Sequence, residues 1–159
     1  MIIRTGIGQD SHRFLPKDSS KPCVIGGIIF DNAIGFSSES DGDVILHAIC
    51  NAVSSLTGTP ILGGAADELR LKDGITDSEV YLRKGMETLG KQKISHVAIT
   101  FEGKKPELRE SIDDIRKNIA RIMNLDLAQV GLTATSGEGL TDFGCGDGAQ
   151  ALCIITSIE

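Results

Sequence analysis

Ser40-Asp41-Gly42-Asp43-Val44-Ile45-Leu46-His47-Ala48-Ile49-Cys50-Asn51-Ala52-Val53-Ser54-Ser55-Leu56 is the stretch from which the fold can be read. Ser40 followed by Asp43 approximates a capping box, which predicts a helix that begins at Ser40 and runs to about Leu56. Within it Ile45, Ala48, Ile49, Ala52, Val53 and Leu56 recur at spacings of three and four, the stripe that must be buried. His47 falls opposite that stripe, with Asp43, Cys50, Asn51 and Ser54. A histidine so placed faces chemistry or solvent and not the core.

Upstream lies Gly8-Gln9-Asp10-Ser11-His12, at the end of a strand expected over 2–8. Side chains two apart in an extended segment share a side, so Asp10 and His12 can reach one ion together. His47 adds a second imidazole. Two histidines and one carboxylate, with a fourth position open, is the ligand count of a catalytic rather than a structural zinc site. Zinc or another divalent transition metal is therefore expected at Asp10, His12 and His47.

Downstream, the pattern predicts a strand pair or bent strand over 23–30 around Gly26-Gly27, and a Gly-rich loop over 58–76. A helix capped by Asp77-Ser78 stops near Gly90. Ser95, Val97, Ile99 and Phe101 alternate with His96, Ala98 and Thr100 as in a two-faced strand. Pro106 is placed to open a third helix, whose Leu108, Ile112, Ile115, Ile119 and Ile122 form one apolar edge to pack on a sheet. Final strands fall over 129–135 and 149–158. This order predicts an α/β (α+β) sandwich, a mixed sheet with helices layered on one face, in a single domain over 1–159.

The 159 residues are 40% hydrophobic, enough for one real core. A net charge of −6, with no run of Lys or Arg, argues against a nucleic-acid partner. Bound cations must then supply much of the attraction for an anionic substrate. No membrane span is expected, since Arg4 interrupts the apolar start. Cys23, Cys50, Cys145 and Cys153 form no CxxC pair, which suits reduced cysteines in a cytoplasmic protein or a mature organellar one.

Gly6-Ile7-Gly8 and Gly144-Cys145-Gly146-Asp147-Gly148 lack the context of a dinucleotide fingerprint or a P-loop and read as turns. Thr133-Ala134-Thr135-Ser136-Gly137-Glu138 is more informative. Hydroxyls, a glycine and a carboxylate at a strand end can hold phosphate oxygens and a hard cation. Cys145 is read as structural and His96 as a packing or interface residue.

Asp10-Ser11-His12, Ser40-Asp41-Gly42-Asp43-Val44 with His47, and Ala134-Thr135-Ser136-Gly137-Glu138 followed by Phe143-Gly144 together resemble the 2-C-methyl-D-erythritol 2,4-cyclodiphosphate synthase family, in the same order over nearly the whole chain. The resemblance implies a homotrimer with sheets around a central axis and active sites between subunits. It implies a phosphorus–oxygen lyase that cyclises 4-diphosphocytidyl-2-C-methyl-D-erythritol 2-phosphate with release of CMP, in non-mevalonate isoprenoid biosynthesis. The alternatives are a metal-dependent phosphohydrolase and a non-catalytic metal-binding oligomer on the same scaffold.

By the same resemblance Ser136 and Glu138 are catalytic. Glu138 contacts Mg²⁺ or Mn²⁺ on the substrate diphosphate. Asp10, His12, Glu39, Ser40, Gly103, Thr135 and Ser136 bind substrate, and 103–109 with 134–136 form a cytidine pocket offered by a neighbouring subunit. The chain departs from the pattern at several points. Glu39 stands for a common His, Asn51 for a common Asp, and Glu107 for a Lys, with Lys104 and Lys105 as substitutes. The loop that contacts the erythritol unit is not reproduced between Leu62 and Asp77, where Asp67 or Asp73 could serve. Cys145 replaces the Arg of the central cavity, so the resemblance gives no support to an isoprenoid ligand on the axis.

Overall fold

A computed structural model describes all of residues 1–159. Four strands form the main sheet: β1 (Ile3–Arg13), β4 (Lys93–Glu102), β5 (Val130–Thr135) and β6 (Gly148–Ile158), in the order β1-β6-β4-β5. β6 pairs antiparallel with both β1 and β4, and β4 pairs parallel with β5. A separate hairpin joins β2 (Cys23–Ile25) to β3 (Ile28–Phe30). Its two-residue turn is Gly26-Gly27 at φ 61° and 76°, the left-handed region that a tight hairpin demands at both positions.

The helices α1 (Val44–Thr57) and α4 (Ile112–Met123) cover one face of the sheet, as the alternation implies, and α3 (Ser78–Met86) packs on both of them as an outer layer. Alternate residues of β6, from Ala149 through Ala151, Cys153 and Ile155 to Ser157, are buried beneath them. A single core of 32 buried apolar residues results. The opposite face carries Ile3, Ile7, Leu152, Ile154 and Ile158, all exposed. No single helix is long and apolar enough to cross a membrane.

Several expectations need correction. The cap of α1 is Asp43, not Ser40: its carboxylate accepts from Ile45 N–H and Leu46 N–H, and also from Gly26 N–H at 2.9 Å and Gly27 N–H at 2.6 Å. Burial, with Asp41 close by, pushes Asp43 up to about 6, against the backbone N–H groups that favour its ionised form. Nor is α1 a surface helix with one polar face. The sheet lies on one side while α3 and the segment around Ile61 lie on the other, so His47 and Cys50 are buried too.

The 58–76 stretch is no simple loop, for it contains α2 (Ala66–Asp73), ended by Gly74 in the left-handed region. Pro106 does not open α4, which starts at Ile112 after a short 3₁₀ turn; buried Leu108 anchors the intervening segment instead. β1 does not stop at Gly8 but runs unbroken to Arg13.

That extension also changes the meaning of Gly6 and Gly8, which are not turn residues. They form a notch in β1. A Cβ on Gly8 would lie 2.1 Å from the Ala48 carbonyl oxygen and 2.3 Å from the Ala52 nitrogen, and one on Gly6 would lie 2.3 Å from the Ala52 carbonyl oxygen. The backbone of α1 therefore rests directly on the strand, which is how His47 reaches the level of Asp10. Gly8→Ala is expected to lift α1 and cost about 1–3 kcal/mol of stability, visible as a lower urea midpoint. An unchanged midpoint would show that the helix is not seated on the notch.

Candidate metal centre and substrate cleft

Asp10 and His12 project from the helix side of β1, and His47 reaches them from the first turn of α1. Asp10 Oδ2 lies 2.9 Å from His12 Nε2 and 3.0 Å from His47 Nδ1, and the two nitrogens are 3.3 Å apart. Ligand atoms of a tetrahedral site with bonds of about 2.0–2.1 Å are separated by about 3.3 Å. The three atoms thus already stand near the edges of such a tetrahedron, and the donor set suits a divalent transition metal. The expected grouping of Asp10, His12 and His47 is realised.

The remaining hydrogen bonds of His47 fix which nitrogen faces the ion. Ser78, the first residue of α3 and fully buried, donates its hydroxyl to Asp41 Oδ1 and its own N–H to Asp41 Oδ2 at 2.9 Å. With that hydroxyl proton committed, Ser78 Oγ can only accept from His47 Nε2–H, 2.8 Å away. Nδ1 is left with its lone pair toward Asp10 and His12. A partner on the second nitrogen that fixes tautomer and ring angle is a recurrent support of metal-binding histidines. Asn51 donates to the Gln9 carbonyl at 2.9 Å and clamps α1 to β1 beside Asp10.

Without metal, Asp10 favours the protonated form of His47. Burial works to lower His47, but its hydrogen bond to Asp10 and the charges of Asp10, Asp43 and Asp41 outweigh this and raise it above the ordinary 6.5. Burial likewise works to raise Asp10, but the hydrogen bonds to His12 and His47 bring it below 3.8. A metal must displace the proton on His47, so affinity should fall with acidification, beginning above pH 6.5 rather than at it. Calorimetry of Zn²⁺ binding in buffers of different ionisation enthalpy reads the released proton. Affinity flat between pH 8 and 6 would contradict this assignment.

The triad opens into a cleft of about 370 Å³ lined also by Ser38, Glu39, Ser40, Leu62, Gly63, Ala66, Asp67, Arg70 and Tyr81. Glu39 and Ser40 therefore line the same cleft as the triad, and of the two open candidates Asp67 lines it while Asp73 does not. Arg70 and Tyr81 were not expected there. The clue to α2 was present: a loop of nearly twenty residues is improbable in a compact domain, and Gly64 and Gly74 bracket a stretch with acidic residues first and basic ones last.

Gly103, Thr135 and Ser136 gather elsewhere. With Ala134, Lys104, Pro106, Glu107, Leu108 and Arg109 they line a second cavity of about 420 Å³. Glu138 sits at φ 52° in the turn just beyond, a left-handed residue between Gly137 and Gly139. Ser136 Oγ accepts from Glu138 N–H at 3.4 Å, and Thr135 Oγ1 from Gly137 N–H at 3.2 Å. The fold does not bring this group to the triad. Asp10, Ala151, Phe101 and Ala134 are register partners in one row across the sheet, which puts Asp10 on one edge strand and Ala134 on the other. Three strand spacings, about 14 Å, separate them. Cys145 is exposed in α5 (Asp142–Cys145), and His96 is exposed on the sheet face that no helix covers.

The fold and the triad define an α/β domain with three metal-ligating side chains gathered at the floor of a polar cleft. More narrowly, the chain belongs to the YgbB family, whose model matches residues 3–158. It is 56% identical over 159 residues to the 2-C-methyl-D-erythritol 2,4-cyclodiphosphate synthase of Chlamydia abortus, covering 99% of this chain and 90% of that protein. The enzyme of the same name from Chlamydia muridarum is 57% identical, over 99% and 89%. Among solved structures, the IspF CDP complex from Plasmodium falciparum superposes with a TM-score of 0.81 at 26% identity, over 98% of this chain and 96% of that one.

Proposed function

We propose that the protein cyclises 4-diphosphocytidyl-2-C-methyl-D-erythritol 2-phosphate to 2-C-methyl-D-erythritol 2,4-cyclodiphosphate and CMP, as a phosphorus–oxygen lyase of isoprenoid synthesis. A 2-phosphate oxygen attacks the β-phosphorus. The bond from that phosphorus to the oxygen bridging to the α-phosphate breaks, and its electron pair leaves with CMP. The nucleophile is ionised from the start, so no Ser, Cys or general base has to be activated. The observation that carries the reading is the convergence of Asp10, His12 and His47 within a polar cleft of about 370 Å³. The buried thiols support it from the other side: burial raises Cys23 and Cys153 to about 12, which leaves them inert.

Asp10, His12 and His47 would hold a divalent ion, which would supply charge neutralisation to the substrate phosphates. Ser40 at the cleft wall, and Thr135 and Ser136 across the subunit boundary, hold phosphate oxygens in line for displacement. Glu138 would help hold a hard cation, Mg²⁺ or Mn²⁺, which would offset further charge of the substrate diphosphate. The cavity formed by 103–109 and 134–136 takes the cytosine nucleotide.

Because metal centre and nucleotide cavity lie on opposite edges of one sheet, each complete site needs two chains. A head-to-tail ring of three, with the uncovered sheet faces turned to a common axis, brings the edge of one copy to the far edge of the next. Burial of Ile7, Leu152 and Ile154 on that axis drives the assembly.

Phosphorus NMR of the protein with the cytidylyl substrate, Zn²⁺ and Mg²⁺ tests the reading. CMP and a cyclic diphosphate in equal amounts are expected. CMP with a linear product would indicate a phosphohydrolase, and no CMP a non-catalytic metal-binding oligomer.

A further inference from the structure

We infer that Arg70 is a substrate-phosphate ligand, a role that rests on the cyclisation reading above. Arg70 is the one Lys or Arg among the residues lining the triad's cleft, against the carboxylates of Asp10, Glu39 and Asp67. A substrate carrying three phosphoryl groups would enter that cleft against net negative charge if only these side chains met it. The metal on the triad offsets part of this. Arg70 supplies the protein's own positive charge.

The geometry fits that task. Arg70 follows Ala66 by one helical turn, and both line the cleft, so one face of α2 looks onto the triad. Its Nη2 lies 2.8 Å from Glu39 Oε2, and only 3.9 Å from Asp67 Oδ1. The side chain of Glu39 is 76% exposed, against 26% for Arg70. An ion pair with so wet a partner adds little to folding, and it uses one nitrogen of a guanidinium that has five N–H groups. The rest of the fork remains for a phosphate, which it can grip through two parallel hydrogen bonds. Glu39, where a phosphate would otherwise meet repulsion, becomes the group that aims Arg70.

Steady-state kinetics on the metal-loaded protein tests this. Arg70→Gln keeps the stem and the helix propensity and should raise KM roughly 10- to 100-fold, with bound zinc and far-UV circular dichroism unchanged. Binding of 2-C-methyl-D-erythritol 2,4-cyclodiphosphate, followed by calorimetry, should weaken in parallel. Arg70→Lys should recover only part of the loss, since an ammonium lacks the fork. The double variant Glu39→Gln/Arg70→Gln separates contact from screening. It should stay as weak as Arg70→Gln; recovery to parental KM would show that Arg70 merely neutralises Glu39 and would overturn the inference. So would a KM for Arg70→Gln within twofold of the parent. An inactive parent protein would fault the cyclisation reading instead.

Discussion

His47→Ala is expected to strip the tightly bound metal and lower turnover on the order of a thousandfold, the equivalent of about 4 kcal/mol of transition-state stabilisation. The substitution removes one of the three triad atoms and the anchor behind it at once. Nδ1 is lost from its place 3.0 Å from Asp10, and Nε2 from its bond to Ser78. Because His47 is only 6% exposed, the variant also leaves a small cavity between α1 and α3, so a modest fall in melting temperature should accompany the loss of metal. Elemental analysis of the folded variant decides the matter. Zinc equal to that of the parent would exclude His47 from the coordination sphere whatever the activity shows.

Mixing two dead variants should restore activity, and this is the sharper test of the assembly. Glu138→Gln should keep the triad's metal but lose most of the magnesium-dependent rate, because the carboxylate that helps hold the hard cation is gone. His47→Ala keeps Glu138 intact. If every site takes its triad from one chain and Glu138 from the next, random trimers refolded from equal amounts contain some repaired sites. About a quarter of all sites then pair an intact His47 with an intact Glu138, given head-to-tail contacts around a closed ring. CMP release near a quarter of the parental rate is expected. No recovery, with hybrid trimers demonstrated by mass spectrometry, would mean that each site lies within one chain.

Most of the sheet and the ligand triad were legible in the sequence because each rests on local rules. The two-residue spacing of Asp10 and His12 fixes their shared side, and the three-four spacing of Ile45 through Leu56 fixes which way α1 faces the sheet. What escaped was set by tertiary contacts. The burial of His47 depends on α3 and the segment near Ile61 lying over α1, which no period in α1 encodes. α2 escaped because its eight residues, Ala66–Asp73, offer only Ala66 and Leu69 to the core and show almost no apolar stripe. Arg70 went with it. That Gly6 and Gly8 lie within β1 and not in a turn escaped for a related reason: a strand glycine and a turn glycine look alike until the neighbouring helix is in view.

Those two glycines also keep count along the strand. A one-residue slip of β1 against β6 would turn its inner side chains outward and is forbidden by the core. A two-residue slip preserves inside and outside, and apolar patterning alone would let it pass, carrying Asp10 about 6.6 Å along the strand and out of reach of His47. It would also bring a side chain, that of Arg4 or Asp10, under the carbonyls of Ala48 and Ala52, where only hydrogen fits. Gly148, whose Cβ would stand 2.3 Å from the His12 carbonyl oxygen, sets a third tooth from the β6 side. Together they act like the cuts of a key: the chain can close in one alignment, and in that alignment the three ligand atoms meet.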